Sequence, residues 1–163
     1  MNKEYFFDTK KLDQLDKSKL IFIVYSKWNS VLVNEMVEES KNTLNHYGFS
    51  NISLLEVPGA WEIPFGCLKA IEQGAKGIIT FGVIIKGETP HFEIISNTSS
   101  QAIMDLSLQK NIPLVNGIIA ANTYDQAQTR ASSNRLNKGK EITQSLIETV
   151  SYTHLTLPTI CSV

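Results

Sequence analysis

Residues 86–93, KGETPHFE, bring a lysine, two carboxylates, a hydroxyl and an imidazole into one short stretch. Gly87 permits close approach of a ligand to the backbone. Glu88, Thr89 and Pro90 open a predicted helix, where unpaired N–H groups and the helix dipole favour an anion. His91 falls in the first turn, next to that anion position. An imidazole titrates near neutrality, so a histidine there can both donate and accept protons. The structural alternative makes Thr89 a helix cap and His91 an ordinary surface residue. The loop directly follows the most apolar run of the chain, GIITFGVII, which favours the chemical reading.

Three further stretches carry groups of interest. VPGAWEIP (57–64) sets Trp61 beside Glu62 at a strand-to-helix turn. A tryptophan next to a carboxylate can stack on a planar heterocycle and accept its N–H groups. Equally, Glu62 can complement a helix dipole while Trp61 packs over the sheet edge. SKWNS (26–30) offers Trp28 as a second stacking surface. Asn29 or Ser30 is read there as an N-cap. Arg130, within DQAQTRASSNR, suits bidentate contact with a phosphate or an exposed helix face. Lys138 and Lys140 are read as solvating a helix start, and Cys67 as core.

The elements that must position these groups alternate between strand and helix. Apolar runs at 20–25, 51–57, 77–85 and 112–119 read as four strands. Helical spacing follows each, with the last two helices at 124–136 and 140–149. Such alternation predicts an α/β fold with helices on both faces of a mainly parallel four-stranded sheet and right-handed crossovers. Ligands in such folds bind beyond the carboxyl ends of the strands. The segments after the first three strands hold both tryptophans, Glu62, Lys86 and His91, whereas the opposite connections (GFSN, GAKG and KN) are short and plain. That asymmetry marks one edge of the sheet as the site.

With 163 residues, 42% hydrophobic and 19% charged, the chain has the composition of one soluble domain. A formal net charge of −1 argues against nucleic acid or an anionic membrane as partner. The apolar runs are too short to span a bilayer, and NKEYFFDTK after Met1 is no secretory signal. Two cysteines exclude a disulfide framework and any zinc spacing, so a reduced, cytoplasmic protein is expected.

Together VPGAWEIP, FGVIIKGETPHFE and DQAQTRA closely resemble the lumazine synthase family of riboflavin biosynthesis, over about residues 20–148. The resemblance implies a flavodoxin-like three-layer sandwich. It further implies condensation of 5-amino-6-(D-ribitylamino)uracil with 3,4-dihydroxy-2-butanone 4-phosphate, without metal or organic cofactor. Position by position, Trp28 matches an aromatic residue stacking on the pyrimidine. Ala60, Trp61 and Glu62 match the turn holding the ribityl chain and ring. Val83, Ile84 and Ile85 match a strand end that meets the pyrimidine through its backbone. Glu88 and Thr89 match the phosphate-binding turn, His91 the general acid/base, and Arg130 a phosphate-binding arginine from a neighbouring subunit. Asn116 stands where the family usually has a phenylalanine lining the pyrimidine pocket.

The resemblance also implies a homo-oligomer, a pentamer or a shell of pentamers, with riboflavin synthase as a further partner. The N-terminal segment, 1–18, is expected to add a strand to a neighbour's sheet, and 19–149 to form the domain. Residues 150–163, VSYTHLTLPTICSV, lack the family's helical ending and are expected to be a non-native or disordered tail. Because of Asn116, a catalytically reduced lumazine- or flavin-binding scaffold of the same fold is the alternative function. The related archaeal-type riboflavin synthase is a third.

Overall fold

The computed structural model describes residues 6–154. Four strands, β1 (Ile21–Ser26), β2 (Ile52–Val57), β3 (Gly77–Ile85) and β4 (Leu114–Ala121), form one sheet in the order β2-β1-β3-β4. Every pairing is parallel, with Ile23 opposite Leu54 on one side and Ile79 on the other. Five α-helices complete the described fold: α1 (Ser30–His46), α2 (Ile63–Glu72), α3 (His91–Lys110), α4 (Tyr124–Ala131) and α5 (Lys138–Ser151).

The layers follow from the pleat. Successive residues of β1 point to opposite faces, so Ile21 and Ile23 join one core while Phe22 and Val24 join the other. A strand buried on both faces must be apolar throughout. The first core is closed by α1, α4 and α5, through Val33, Met36, Ala127 and Leu146. The second is closed by α2 and α3, through Ile63, Cys67 and Ile103. The result is the expected three-layer α/β sandwich. From β1 the chain turns to β2 on one side, then crosses to β3 on the other. The carboxyl ends of β1 and β3 therefore diverge into a crevice.

Two glycines shape the first layer. Gly48 ends α1 with φ +91°, a left-handed residue where the sequence predicts one. At Gly139 a Cβ would stand 2.6 Å from the Met36 carbonyl oxygen, so α5 can approach α1 only without one.

The helical boundaries near the C-terminus differ from expectation. α4 stops at Ala131 rather than continuing to 136. Ser132 is extended, and the Glu35 carboxylate accepts from both the backbone N–H (2.7 Å) and the hydroxyl (3.0 Å) of Ser133. A side chain from α1 thus captures a donor that a continuing helix would use. α5 runs through Ser151, followed by a 3₁₀ turn over Tyr152–His154, and Val150 is buried. The fold therefore includes the first residues of the expected tail, while 155–163 lie outside the described residues. At the other end, the described part of the N-terminal segment contains no strand before β1. It folds against its own chain: Phe7 meets Tyr47 at a 4.9 Å ring separation, and the Asp8 N–H donates to Glu148 at 2.8 Å.

Candidate active site

A cavity of about 750 Å³ opens at the crevice between the ends of β1 and β3. Its walls come from four pieces of chain. Trp28 and Asn29 follow β1. Gly59 to Glu62 follow β2. Val83, Ile84 and Ile85 end β3, and His91, Ile94 and Ile95 come from the first turns of α3.

Asn29 fixes the first wall. It is left-handed (φ 57°, ψ 42°), and its Nδ2 donates to the Val83 carbonyl at 2.8 Å. Asparagine tolerates this conformation better than most residues. The side chain expected to cap α1 instead ties the loop after β1 to the end of β3 and holds Trp28 at the cavity mouth. Trp28 is 73% exposed and Trp61 55%, leaving two indoles able to stack on a planar ligand.

Glu62 serves its own turn first. Its Oε2 accepts the Gly59 N–H at 2.9 Å, closing the 3₁₀ turn Ala60–Glu62. A Cβ on Gly59 would lie 3.2 Å from that oxygen and 3.4 Å from Trp28 Cδ1. A carboxylate has about four lone-pair directions, so this bond leaves it acceptor capacity toward the cavity it lines.

α3 begins at His91 with Pro90 in the capping position and no side-chain cap. Thr89 therefore does not cap the helix. It joins Lys86, Gly87, Glu88, Pro90 and Glu93 around a second hollow of about 300 Å³. The Lys86 N–H donates to the Ala121 carbonyl at 2.9 Å, anchoring the start of this loop to β4, and Lys86 Nζ lies 3.2 Å from Glu93 Oε1. A hydrogen bond with its own backbone N–H, then the Lys86 ammonium, hold the Glu93 carboxyl below its ordinary range.

The single chain thus assembles Trp28, Ala60, Trp61, Glu62, Val83, Ile84, Ile85 and His91 around the cavity, and Glu88 and Thr89 around the adjoining hollow. Two residues stand apart. Arg130 is exposed on α4, its Nη1 donating to Gln126 of the same helix at 3.1 Å. Asn116 is exposed on the edge strand β4, where its Oδ1 accepts the Ile118 N–H (2.9 Å) and its Nδ2 donates to Ser100 Oγ (3.1 Å). Neither lines the cavity or the hollow. Cys67 is removed from the chemistry as well, since burial pushes its thiol up to about 12.

The sequence profile of the 6,7-dimethyl-8-ribityllumazine synthase family matches residues 18–154. The chain belongs to that family. Proteins named 6,7-dimethyl-8-ribityllumazine synthase resemble it over most of their length. The Leuconostoc mesenteroides protein is 37% identical over 149 residues, 89% of this chain and 94% of its own. That of Campylobacter jejuni subsp. doylei is 36% identical over 142 residues, covering 85% and 92%. That of Xanthomonas euvesicatoria pv. vesicatoria is 32% identical over 136 residues, covering 82% and 88%.

Within this lumazine synthase fold, four wall residues are not among those the sequence points to: Asn29, expected only as a cap, and Gly59, Ile94 and Ile95. Gly59 passes as an ordinary turn glycine until Trp28 is seen against it. Ile94 and Ile95 carry no reactive group and belong to no motif of the sequence. Both lie three and four positions after His91, which places them on its side of the helix. That spacing was available.

Proposed function

We propose that this chain condenses 5-amino-6-(D-ribitylamino)uracil with 3,4-dihydroxy-2-butanone 4-phosphate to form 6,7-dimethyl-8-ribityllumazine, the penultimate step of riboflavin biosynthesis. One observation carries the reading: His91 lines the cavity while the residues immediately before it line the adjoining hollow. A planar substrate in one and a phosphorylated substrate in the other would meet at that imidazole.

The pyrimidine stacks on Trp28, with the backbone of Val83, Ile84 and Ile85 along its edge. Ala60, Trp61 and Glu62 hold the ring and ribityl chain. The turn at Glu88 and Thr89 takes the phosphate at the uncapped start of α3, where free N–H groups favour an anion. The pyrimidine amine attacks the ketone carbonyl, and water leaves as the imine forms. Proton removal beside the imine then expels phosphate, and attack of the ribitylamino nitrogen on the remaining carbonyl closes the second ring with loss of a second water. His91 moves these protons, while both substrates are held in one crevice, which lowers the entropic part of the barrier.

Arg130 and Asn116 enter from a second copy of the chain. Their exposure outside the single-chain site supports this, as do two exposed tryptophans at the cavity mouth. The assembly is a pentamer or a shell of pentamers. It works in the cytoplasm and passes its product to riboflavin synthase. Asn116 leaves the completed pocket more polar than a phenylalanine would.

Purified protein mixed with both substrates should release lumazine, seen by its absorbance, and an equal amount of phosphate. Binding without product would instead assign a scaffold role. Riboflavin formed from added lumazine would point to the third activity.

A further inference from the structure

We infer that Lys86 is a phosphate-binding residue whose ammonium is held in reserve by Glu93 and transfers to the phosphorylated substrate when it binds. The inference rests on the proposed function and adds a residue to it. Among the described residues, Lys86 is the one basic side chain lining the hollow at the start of α3, and two carboxylates, Glu88 and Glu93, line it with it. A dianion entering there meets two like charges. Arg130 supplies no balance within the chain.

The geometry allows the exchange with little movement. The Lys86 backbone is fixed by its 2.9 Å bond to the Ala121 carbonyl, while Glu93 is fixed in the first turn of α3. The lysine side chain is half exposed, and its 3.2 Å contact with Glu93 holds its charge beside the hollow. A Cβ built on Gly87 would meet nothing within 4 Å, so the space next to Lys86 is open. An exposed ammonium–carboxylate pair is weakly held. A phosphate offers more acceptor oxygens and about twice the charge. On arrival the ammonium leaves one oxygen anion for another, and Glu93 turns toward solvent. The pair thus keeps the unoccupied hollow close to neutral without removing the cation the substrate needs.

The two partners must act with opposite sign, which a merely structural ion pair would not. Lys86→Met should raise KM for the phosphorylated substrate and weaken binding of inorganic phosphate by about tenfold, the net worth of a hydrogen bond to a charged group. Glu93→Gln should lower both by about threefold, because the ammonium has no competitor. KM for the pyrimidine should stay within twofold in each variant. Steady-state kinetics with both substrates varied, calorimetry with inorganic phosphate and far-ultraviolet circular dichroism on the full-length assembly would decide. Shifts of the same sign in both variants, or no shift beyond twofold in either, overturn the inference. If the wild type makes no lumazine but the opposite phosphate shifts persist, the Lys86 assignment stands and the proposed reaction fails. If lumazine forms without them, the reverse holds.

Discussion

Helices α5 and α3 lie on opposite faces of the same sheet and are used in opposite ways. α5 buries Ile142, Leu146, Ile147 and Val150 in one unbroken stripe against α1 and the sheet. α3 is longer, yet only Ser99 and Ile103 are fully buried along it. Ile94, Met104 and Leu108 remain 55%, 57% and 72% exposed. α5 holds the fold together. α3 lines the cavity with its first turns and leaves apolar side chains exposed. On the proposed function, stability and reactivity fall to different layers, and a substitution should disturb one while sparing the other.

The largest separation is expected at the start of α3. His91→Ala should lower kcat by about 10²–10⁴-fold, the usual contribution of a positioned acid/base. Because His91 is exposed, denaturant unfolding should stay within about 0.5 kcal/mol of wild type. Unchanged turnover would remove the imidazole from the mechanism. Leu146→Ala in α5 tests the other side. This leucine is fully buried, so its truncation should cost about 2–5 kcal/mol in chemical denaturation, with kcat of the folded fraction retained. The matching change in α3, Leu108→Asp, should leave the subunit fold intact and shift sedimentation toward smaller species. A wild-type profile would mean that no second copy covers this face. The smallest effect concerns α2. With its thiol raised to about 12, Cys67 should resist alkylation at pH 8 and react only on unfolding, as peptide mass spectrometry would read. The raised value stabilises the fold below the thiol's ordinary pKa, and this contribution fades as pH climbs from there toward 12.

Much of the fold was legible because apolar runs and turn residues agree locally. Strand positions fall within two residues of expectation, and the three-layer order follows from the alternation itself. The walls of the candidate cavity were legible because parallel strands send their carboxyl ends to one edge, so TPH, AWE and KWN had to converge. What sequence could not supply was competition between distant groups. Glu35 ends α4 early by capturing Ser133, and no pattern around residue 131 announces a carboxylate from α1. Asn29, one of the two residues expected as N-cap, does hold that position in α1, but its side chain bonds a carbonyl 54 positions away. Asn116 and Arg130 look like site residues by motif, yet spacing along a chain does not say whose cavity they face.

The clamp on Asn116 has a consequence for how the molecule ages. Asparagine followed by glycine loses ammonia when the next backbone nitrogen attacks its side-chain carbonyl carbon, closing a succinimide. Here that nitrogen, on Gly117, donates to Thr80 Oγ at 3.3 Å within the β3–β4 pairing. The Asn116 amide is held at both ends, by the Ile118 N–H and Ser100 Oγ. The folded strand keeps nucleophile and target apart, and an unfolded chain does not. Isoaspartate at position 116 would therefore accumulate as a chemical clock, running only while β4 is detached from the sheet.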